Sequence, residues 1–455
     1  MKIDKTSIPK EYIEVQERLE DFGYPTYFVG GCVRDLLMGI EPTDYDLTTA
    51  ASPKEMAKVF QGIPTTTIGT AFGTIGVKTS KGMAEITTFR KDGTYRNHRK
   101  PESVEFSKDV KDDLSRRDFT MNALAYRPKE GILDLFQGRE DISNQMIRVV
   151  GNPKARFQED ALRILRGIRF AAQLDFQIDT ETLREMEENR KGISFLSPER
   201  IGDEMDKLLL TEKPSIGFYY MVETKVLDMV FPELSPTVGY DQMTPYHNKT
   251  LFDHILCVVD NVPAKLSLRY AALFHDIAKP ETLSIGEDGR GHFFGHDEIG
   301  AKKATEILKK YKYSNQRIKE TKSLIKEHMK AHEIMKDPAL RRQIRKVGED
   351  VIFDLYDLMI ADRSCTTEGR DIDFLIQRKE RIRELIKKEG VIKKNSLAIN
   401  GHDILQLGIE PGPKVGEILN KLLDEVTTHP EKNTKEYLIL RIQELIDGNK
   451  GEKYD

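Results

Sequence analysis

The sequence predicts an α+β protein whose N-terminal third is a small mixed sheet domain and whose remainder is helical. Three observations carry this expectation. From about residue 26 to 150, short apolar runs (TYFVGGCV, YDLTTA, TIGVKT, AEITTF) are broken by Gly- and Thr-rich turns, the pattern of strands in a half-buried sheet. From about residue 155 onward, apolar residues recur at three- and four-residue spacing, the period of an amphipathic helix. The chain has 455 residues, enough for about three domains.

Composition narrows the class. With 71 Lys+Arg against 75 Asp+Glu the formal charge is -4, which excludes a basic packaging protein. The 38% hydrophobic content can bury several modest cores, so disorder is excluded as well. No apolar run reaches the roughly 18 residues of a membrane span, and none follows the basic residues at the N-terminus, so the expectation is a soluble, cytoplasmic protein. Cys32, Cys257 and Cys365 are an odd, scattered set. Their spacing argues against a disulfide framework or a zinc knuckle and predicts reduced, non-catalytic thiols.

In chain order, Tyr27-Phe28-Val29-Gly30-Gly31-Cys32-Val33-Arg34-Asp35 reads as a strand entering a glycine turn and then a helix with Arg34 in its first turn. Backbone N–H groups, the helix N-terminus and the Arg34 fork can together bind phosphate. Asp44 and Asp46 follow two apart in a strand-like context and so share a sheet face. Paired carboxylates beside a phosphate turn are what Mg²⁺ requires: hard oxygens, few protein ligands, and substrate phosphates filling the remaining positions. Helices are predicted over 158–175, 198–212 and 215–228. In the first, Ile164, Leu165 and Ile168 face inward, while Asp160, Arg163, Arg166 and Arg169 form a band on the exposed side. An acid followed by an arginine fork can meet the Watson–Crick edge of C or A. Pro232, Pro236, Pro245 and Gly239 mark a linker, a His-bearing helical segment runs to about 365, and a charged helical region completes the chain. The expected domains are 1–150, 151–240, 241–365 and 366–455.

Five blocks, GGCVRD (30–35), DYD (44–46), DLSRRDFTMNALAY (113–126), DLFQGREDI (134–142) and RFQEDALRILRGIRFAAQL (156–174), resemble the polymerase β-like nucleotidyltransferases. Within them the likeness is to the class II tRNA nucleotidyltransferases and their bacterial poly(A) polymerase relatives. The resemblance implies a polymerase β-like head followed by all-α neck, HD and tail domains. It implies that Asp44 and Asp46 hold catalytic Mg²⁺, that Gly31 and Arg34 touch the triphosphate, and that Arg117, oriented by Asp118, contacts the nucleotide. Asp160 and Arg163 would replace a nucleic-acid template, with Arg166 and Arg169 on phosphate or stacked nearby. The segment Glu85 to Pro101 looks like the mobile loop of enzymes that add the whole CCA end to tRNA from CTP and ATP. The run from Ile399 to Gly416 resembles their tail. The alternatives are an A-adding-only enzyme or poly(A) polymerase, or a hydrolytic or regulatory protein with an RNA-binding N-terminal domain.

His254, His275-Asp276, His296, His328 and Asp362 resemble the separated ligands of the HD phosphohydrolases, which implies a divalent metal of unknown identity and action on a phosphomonoester or a 2′,3′-cyclic phosphate at an RNA end. For tRNA itself, Lys302 to Lys326 holds 9 basic residues against 2 acids, with Tyr311 and Tyr313 among them. This stretch, Arg341 to Lys346 and Arg378 to Lys388 are the expected backbone-binding faces.

Overall fold

The computed structural model describes residues 3–66, 72–93, 104–243, 249–330, 335–366, 371–389 and 396–451. The chain forms two compact units, Met1–Ser235 and Pro236–Asp455, which part inside the proline-rich stretch read as a linker.

The first unit opens with α1 (Lys10–Asp21), β1 (Thr26–Val29), α2 (Gly31–Leu37), β2 (Asp46–Thr49), α3 (Pro53–Val59), β3 (Thr65–Thr66), β4 (Thr74–Thr79) and β5 (Gly82–Thr88). A short pair, β6 (Arg90–Asp92) with β7 (Val104–Phe106), and then α4 (Val110–Ser115) lead to β8 (Leu124–Arg127) and β9 (Gly131–Asp134). Seven strands form one sheet in the order β3-β4-β5-β2-β1-β8-β9. All neighbours are antiparallel except β2 and β5, which run parallel and place Asp46 opposite Glu85. The four apolar runs seen in the sequence are thus β1, β2, β4 and β5. Their apolar residues fill the core: Phe28, Leu47, Ile75 and Ile86 are 2% exposed or less. Each such burial contributes about 1.5–3 kcal/mol.

Beyond α5 (Gly138–Ser143) and β10 (Met146–Ile147) the unit continues as α6 (Pro153–Glu159), α7 (Leu162–Leu174), β11 (Gln177–Ile178), α8 (Thr180–Asn189), α9 (Pro198–Leu209), α10 (Pro214–Glu223) and α11 (Leu227–Val230). The single helix expected over 158–175 is two helices. Asp160 is extended (φ -141, ψ 104), and its carboxylate accepts the Leu162 N–H at 3.0 Å, so a short acid takes a helix-start donor and breaks the run. The helix expected over 215–228 is likewise interrupted, at Lys225, whose φ is 55°.

The second unit comprises α12 (Leu251–Asn261), α13 (Leu266–Phe274), α14 (Lys279–Thr282), the hairpin β12 (Leu283–Ile285) and β13 (Gly291–Phe293), α15 (His296–Lys310), α16 (Asn315–Glu327), α17 (Asp337–Val347), α18 (Glu349–Ser364) and α19 (Asp373–Glu389). It ends with α20 (Gly401–Gln406), α21 (Pro413–Thr428) and α22 (Lys435–Gly451) around a separate core of Ile399, Ile404, Leu422, Val426, Leu438 and Ile442. No helix among the described residues is long and apolar enough to cross a membrane.

One cysteine expectation is overturned. Cys257 and Cys365 are disulfide-bonded, with Cα atoms 5.9 Å apart across a sequence separation of 108. Linear spacing carries no trace of this pair, because it is the packing of α12 against α18 that brings the two together. Cys32 is free and buried. Burial first, then the nearby Asp46 charge, pushes its thiol up to about 12, which suits no nucleophile.

Candidate active site and metal-ligand cluster

The glycine turn after β1 depends on its residue types. Gly30 has a φ of 75°, and a Cβ there would lie 2.8 Å from Nη1 of Arg117, so both backbone and neighbour demand glycine. Arg117 is held by Asp113 at 3.1 Å. Burial alone would raise Asp113, yet Arg117 and Arg116 together keep it below the usual carboxylate range. Asp118, expected to orient Arg117, faces elsewhere: its carboxylate takes Nε of Arg166 at 2.7 Å and the Asn122 amide at 3.3 Å. Burial would raise Asp118 too, but the Arg166 guanidinium, helped by these hydrogen bonds, brings it down to about 2.

Asn122 was not singled out in the sequence. Its Oδ1 accepts Nη1 of Arg34 at 2.7 Å while its Nδ2 donates to Asp118. An amide is the side chain that can accept from a cation at one end and donate to an anion at the other. A chain of contacts therefore runs from Arg34 in the glycine turn through Asn122 and Asp118 to Arg166 on α7. Arg34 is 4% exposed and also binds Asp35. Phe170 lies under the same group, with the guanidinium carbons of Arg34, Arg166 and Arg169 at 5.3, 5.5 and 3.9 Å from its ring centre.

Asp44 and Asp46 line one cavity of about 330 Å³ with Glu85, Lys81 and Tyr12. Asp44 precedes β2 rather than lying in it, but reaches the same cavity. The surrounding protein, and then Glu85 and Asp44, raise the Asp46 carboxyl against the opposing pull of Arg117. Three clustered carboxylates, two of which raise the third, are a fit for a hard divalent cation. Glu85 was missed as a member of this carboxylate group. Its signal is visible only in the parallel register that sets it beside Asp46.

Helix α7 and the residues leading into it differ from their expected form. Arg163 and Arg169 are 8% and 7% exposed, so the band is not on the exposed side. Arg163 bonds Glu159 at 2.7 Å and the Arg116 carbonyl at 2.9 Å. Asp160 pairs with Arg200 at 2.8 Å. Arg169 is locked to Glu204 at 2.7 Å, both side chains under 10% exposed. Burial lowers the Arg169 pKa, with Glu204 opposing the shift.

In the second unit the six expected ligands converge. Asp276 is 2% exposed at the centre, with Nε2 of His254 and His275 at 3.5 and 3.1 Å from one carboxylate oxygen and Nε2 of His296 and His328 at 3.3 and 3.8 Å from the other. Asp362 closes the first group, 3.0 Å from His254. The rings are set for metal. Nδ1 of His275, His296 and His328 each donates to the carbonyl three residues earlier, at 2.8, 2.6 and 2.6 Å, which fixes the tautomer that leaves an Nε2 lone pair. Those three buried Nε2 atoms make no hydrogen bond. One ligand atom from each residue lies within 4.8 Å of the others in two groups, His254–His275–Asp276–Asp362 and Asp276–His296–His328. Lys279 adds a cation 2.7 Å from Asp276. Burial would raise Asp276; His275 first, then Lys279, holds it well below its ordinary value.

The basic stretches are less free than the sequence implies. Tyr311 is 3% exposed and belongs to the core, and Tyr313 is bonded to Tyr270. Arg345 pairs with Asp424, Lys346 with Glu327, Lys379 with Asp357 and Arg381 with Asp337. Lys302, Lys309 and Lys310 on α15 are exposed. Residues Thr94 to Pro101 of the expected loop lie outside the described residues.

Comparison with known proteins decides the family. Residues 26–148 match the model of the poly A polymerase head domain, 175–237 that of an RNA and SrmB-binding site of polymerase A, and 294–441 that of tRNA nucleotidyltransferase domain 2. The CCA-adding enzyme of Limosilactobacillus reuteri (strain DSM 20016) is 32% identical over 433 residues, 95% of each chain. That of Ligilactobacillus salivarius (strain UCC118) is 30% identical over 447 residues, 97% of this chain and 98% of the relative. The chain belongs to the family of the CCA-adding enzymes. Among solved members, the Bacillus stearothermophilus CCA-adding enzyme in complex with CTP shares 26% identity and a TM-score of 0.75, covering 97% of this chain and 98% of that one. A Thermotoga maritima CCA-adding enzyme complexed with tRNA shares the fold at 21% identity and a TM-score of 0.53, covering 98% and 97%. CCA-adding enzymes are nucleotidyltransferases that use a divalent metal, and the carboxylates of Asp44, Asp46 and Glu85 fit such an ion.

Proposed function

We propose that the protein completes or repairs the CCA end of tRNA from CTP and ATP without a nucleic-acid template, in the cytoplasm, by two-metal nucleotidyl transfer. The observation that carries this is the meeting of Asp44, Asp46 and Glu85 in one cavity, with the Arg117 charge acting on Asp46 and Arg117 itself packed over the Gly30 turn. In this reading Asp44 and Asp46 would hold Mg²⁺, which would supply charge stabilisation for attack of the tRNA 3′-hydroxyl on the α-phosphate and departure of diphosphate. Gly31, Arg34 and Arg117 serve the triphosphate, and Arg166 helps to fix them through Asp118. Residues 1–150 act as head, 151–240 as neck, 241–365 as the metal-binding helical domain and 366–455 as tail. With Mg²⁺, CTP and ATP, tRNAs ending before or within CCA should be extended to CCA and no further. Continued A addition would favour a poly(A) polymerase instead.

Asp160 and Arg163 read the base by exchanging Arg200 and Glu159 for the nucleobase edge. One bidentate base contact carries about 1–3 kcal/mol of discrimination. Asp160→Ala or Arg163→Ala should therefore raise misincorporation of UTP or GTP about tenfold relative to CTP and ATP. Unchanged selectivity at a reduced rate would make this helix purely structural.

A second reading rests on the cluster around Asp276: a divalent-metal phosphohydrolase acting on a phosphomonoester or 2′,3′-cyclic phosphate at an RNA end. The double variant His275→Ala, Asp276→Ala should lose Mn²⁺-, Ni²⁺- or Mg²⁺-supported hydrolysis by about a thousandfold yet still extend a tRNA with a clean 3′-hydroxyl. The parent alone should also extend tRNA ending in a cyclic phosphate. Loss of CCA addition in a folded double variant would show that the two chemistries are coupled.

A further inference from the structure

Two helices carry both the first and last ligands of the Asp276 cluster and the two bonded cysteines. Cys257 stands one turn after His254 on α12, and Cys365 caps α18 one turn after Asp362. The His254–Asp362 contact at 3.0 Å and the Cys257–Cys365 bond are thus successive rungs between the same pair of helices. A third contact ties them: Nδ1 of His254 is 3.5 Å from the carbonyl oxygen of Cys365. His275, Asp276, His296, His328 and Asp362 all lie within the loop that the bond closes.

The two sulfurs differ in surroundings. Cys365 is 3% exposed, whereas Cys257 is half-buried. The Lys249 ammonium lies 3.3 Å from the Cys257 sulfur, and the Asn261 amide lies 3.8 Å from both sulfurs. A partly accessible sulfur beside a cation is the setting in which thiol–disulfide exchange is fast.

We infer that Cys257 and Cys365 form a reversible thiol-modification site for low-molecular-weight disulfides, and that its oxidation tightens metal binding at the Asp276 cluster. The inference rests on the metal reading of that cluster. In the oxidising direction the Cys257 thiolate attacks one sulfur of the small disulfide, forming a mixed disulfide and releasing one small thiolate. The Cys365 thiolate then attacks the Cys257 sulfur, the protein bond forms, and the second small thiolate leaves. The protein gives up two electrons to the small disulfide and two protons to the departing thiolates. Two small thiols reverse both steps. With the bond closed, the spacing of α12 and α18 is fixed at the value that brings His254 and Asp362 together. With it open, that spacing is held only by the packing of α12 against α18, and binding weakens.

The test uses the full chain carrying Asp44→Asn and Asp46→Asn, so that the head cavity does not take up the probe, equilibrated to the oxidised or the reduced state and titrated with Mn²⁺ by calorimetry. Thiol counts in denaturant should read one for the oxidised form, from Cys32, and three for the reduced. Mn²⁺ should bind about tenfold more tightly to the oxidised form, within the usual range of coupling between two sites. Reciprocity then requires saturating Mn²⁺ to shift the equilibrium constant for the bond against a glutathione redox series by the same factor. Cys257→Ser with Cys365→Ser should bind Mn²⁺ like the reduced parent and ignore the redox series. Equal Mn²⁺ affinity in the two states, or three thiols throughout the series, overturns the inference and leaves the metal site standing. Absence of Mn²⁺ binding in both states overturns the inference and the metal reading together.

Discussion

Asp46→Ala should lower nucleotide addition by about a thousandfold or more with CTP and ATP alike, since several kcal/mol of transition-state charge stabilisation would pass through the metal it is proposed to hold. Single-turnover extension of tRNA lacking its terminal residues measures this directly. The fold should survive. Asp46 lies at the solvent-accessible start of β2, and its environment raises its pKa above the ordinary 3.8. A carboxyl raised in the folded state favours folding only below its unfolded value, and that contribution is lost as the pH rises through the folded one. At neutral pH without Mg²⁺ the ionised Asp46 is therefore a cost, so the metal-free Asp46→Asn variant should melt no lower than the parent while remaining inactive. A marked drop in its melting temperature, or near-parental addition by either variant, would remove Asp46 from the metal site.

Arg169→Met should destabilise the first unit by about 3 kcal/mol, the lower end for a buried ion pair that loses one partner, since Glu204 keeps only the exposed Lys207 at 3.5 Å. Glu204 is 3% exposed and would lose the guanidinium that faces it at 2.7 Å. The double variant Arg169→Met, Glu204→Leu should recover most of that loss, because replacing a whole buried pair by apolar side chains is often neutral or stabilising. Urea denaturation of the parent and both variants gives the three free energies. An effect below about 1 kcal/mol for Arg169→Met would mean that the pair behaves as a surface bridge and would return Arg169 to the group of nucleotide contacts.

The strands around the active site were legible because each apolar run is short and ends in glycine or threonine. Asp44 and Asp46 were legible because two carboxylates so close in sequence must share a neighbourhood. Glu85 was not, since its place beside Asp46 follows from the parallel pairing of β2 with β5, which no local pattern encodes. The arginines of α7 show the opposite failure. Their three-residue spacing is compatible with an exposed band, but Glu204, Glu159 and Asp118, contributed by other segments or the preceding helix, draw them inward. The six residues of the Asp276 cluster were readable as residue types. The disulfide was not, because its two halves are 108 residues apart and nothing near either one signals the other.

The path from Arg34 through Asn122 and Asp118 to Arg166 bears on how such an enzyme can be divided. Arg34 and Asn122 lie within residues 26–148, matched by the head-domain model, and Arg166 lies beyond it on α7, yet each link pairs a charged group with a partner that complements it, so the groups are matched only along the complete series. A neck exchanged for that of another nucleotidyltransferase would meet a carboxylate and an amide tuned to a different partner. A graft meant to carry the nucleotide choice proposed for α7 must for this reason take residues 113–126 along with the helix.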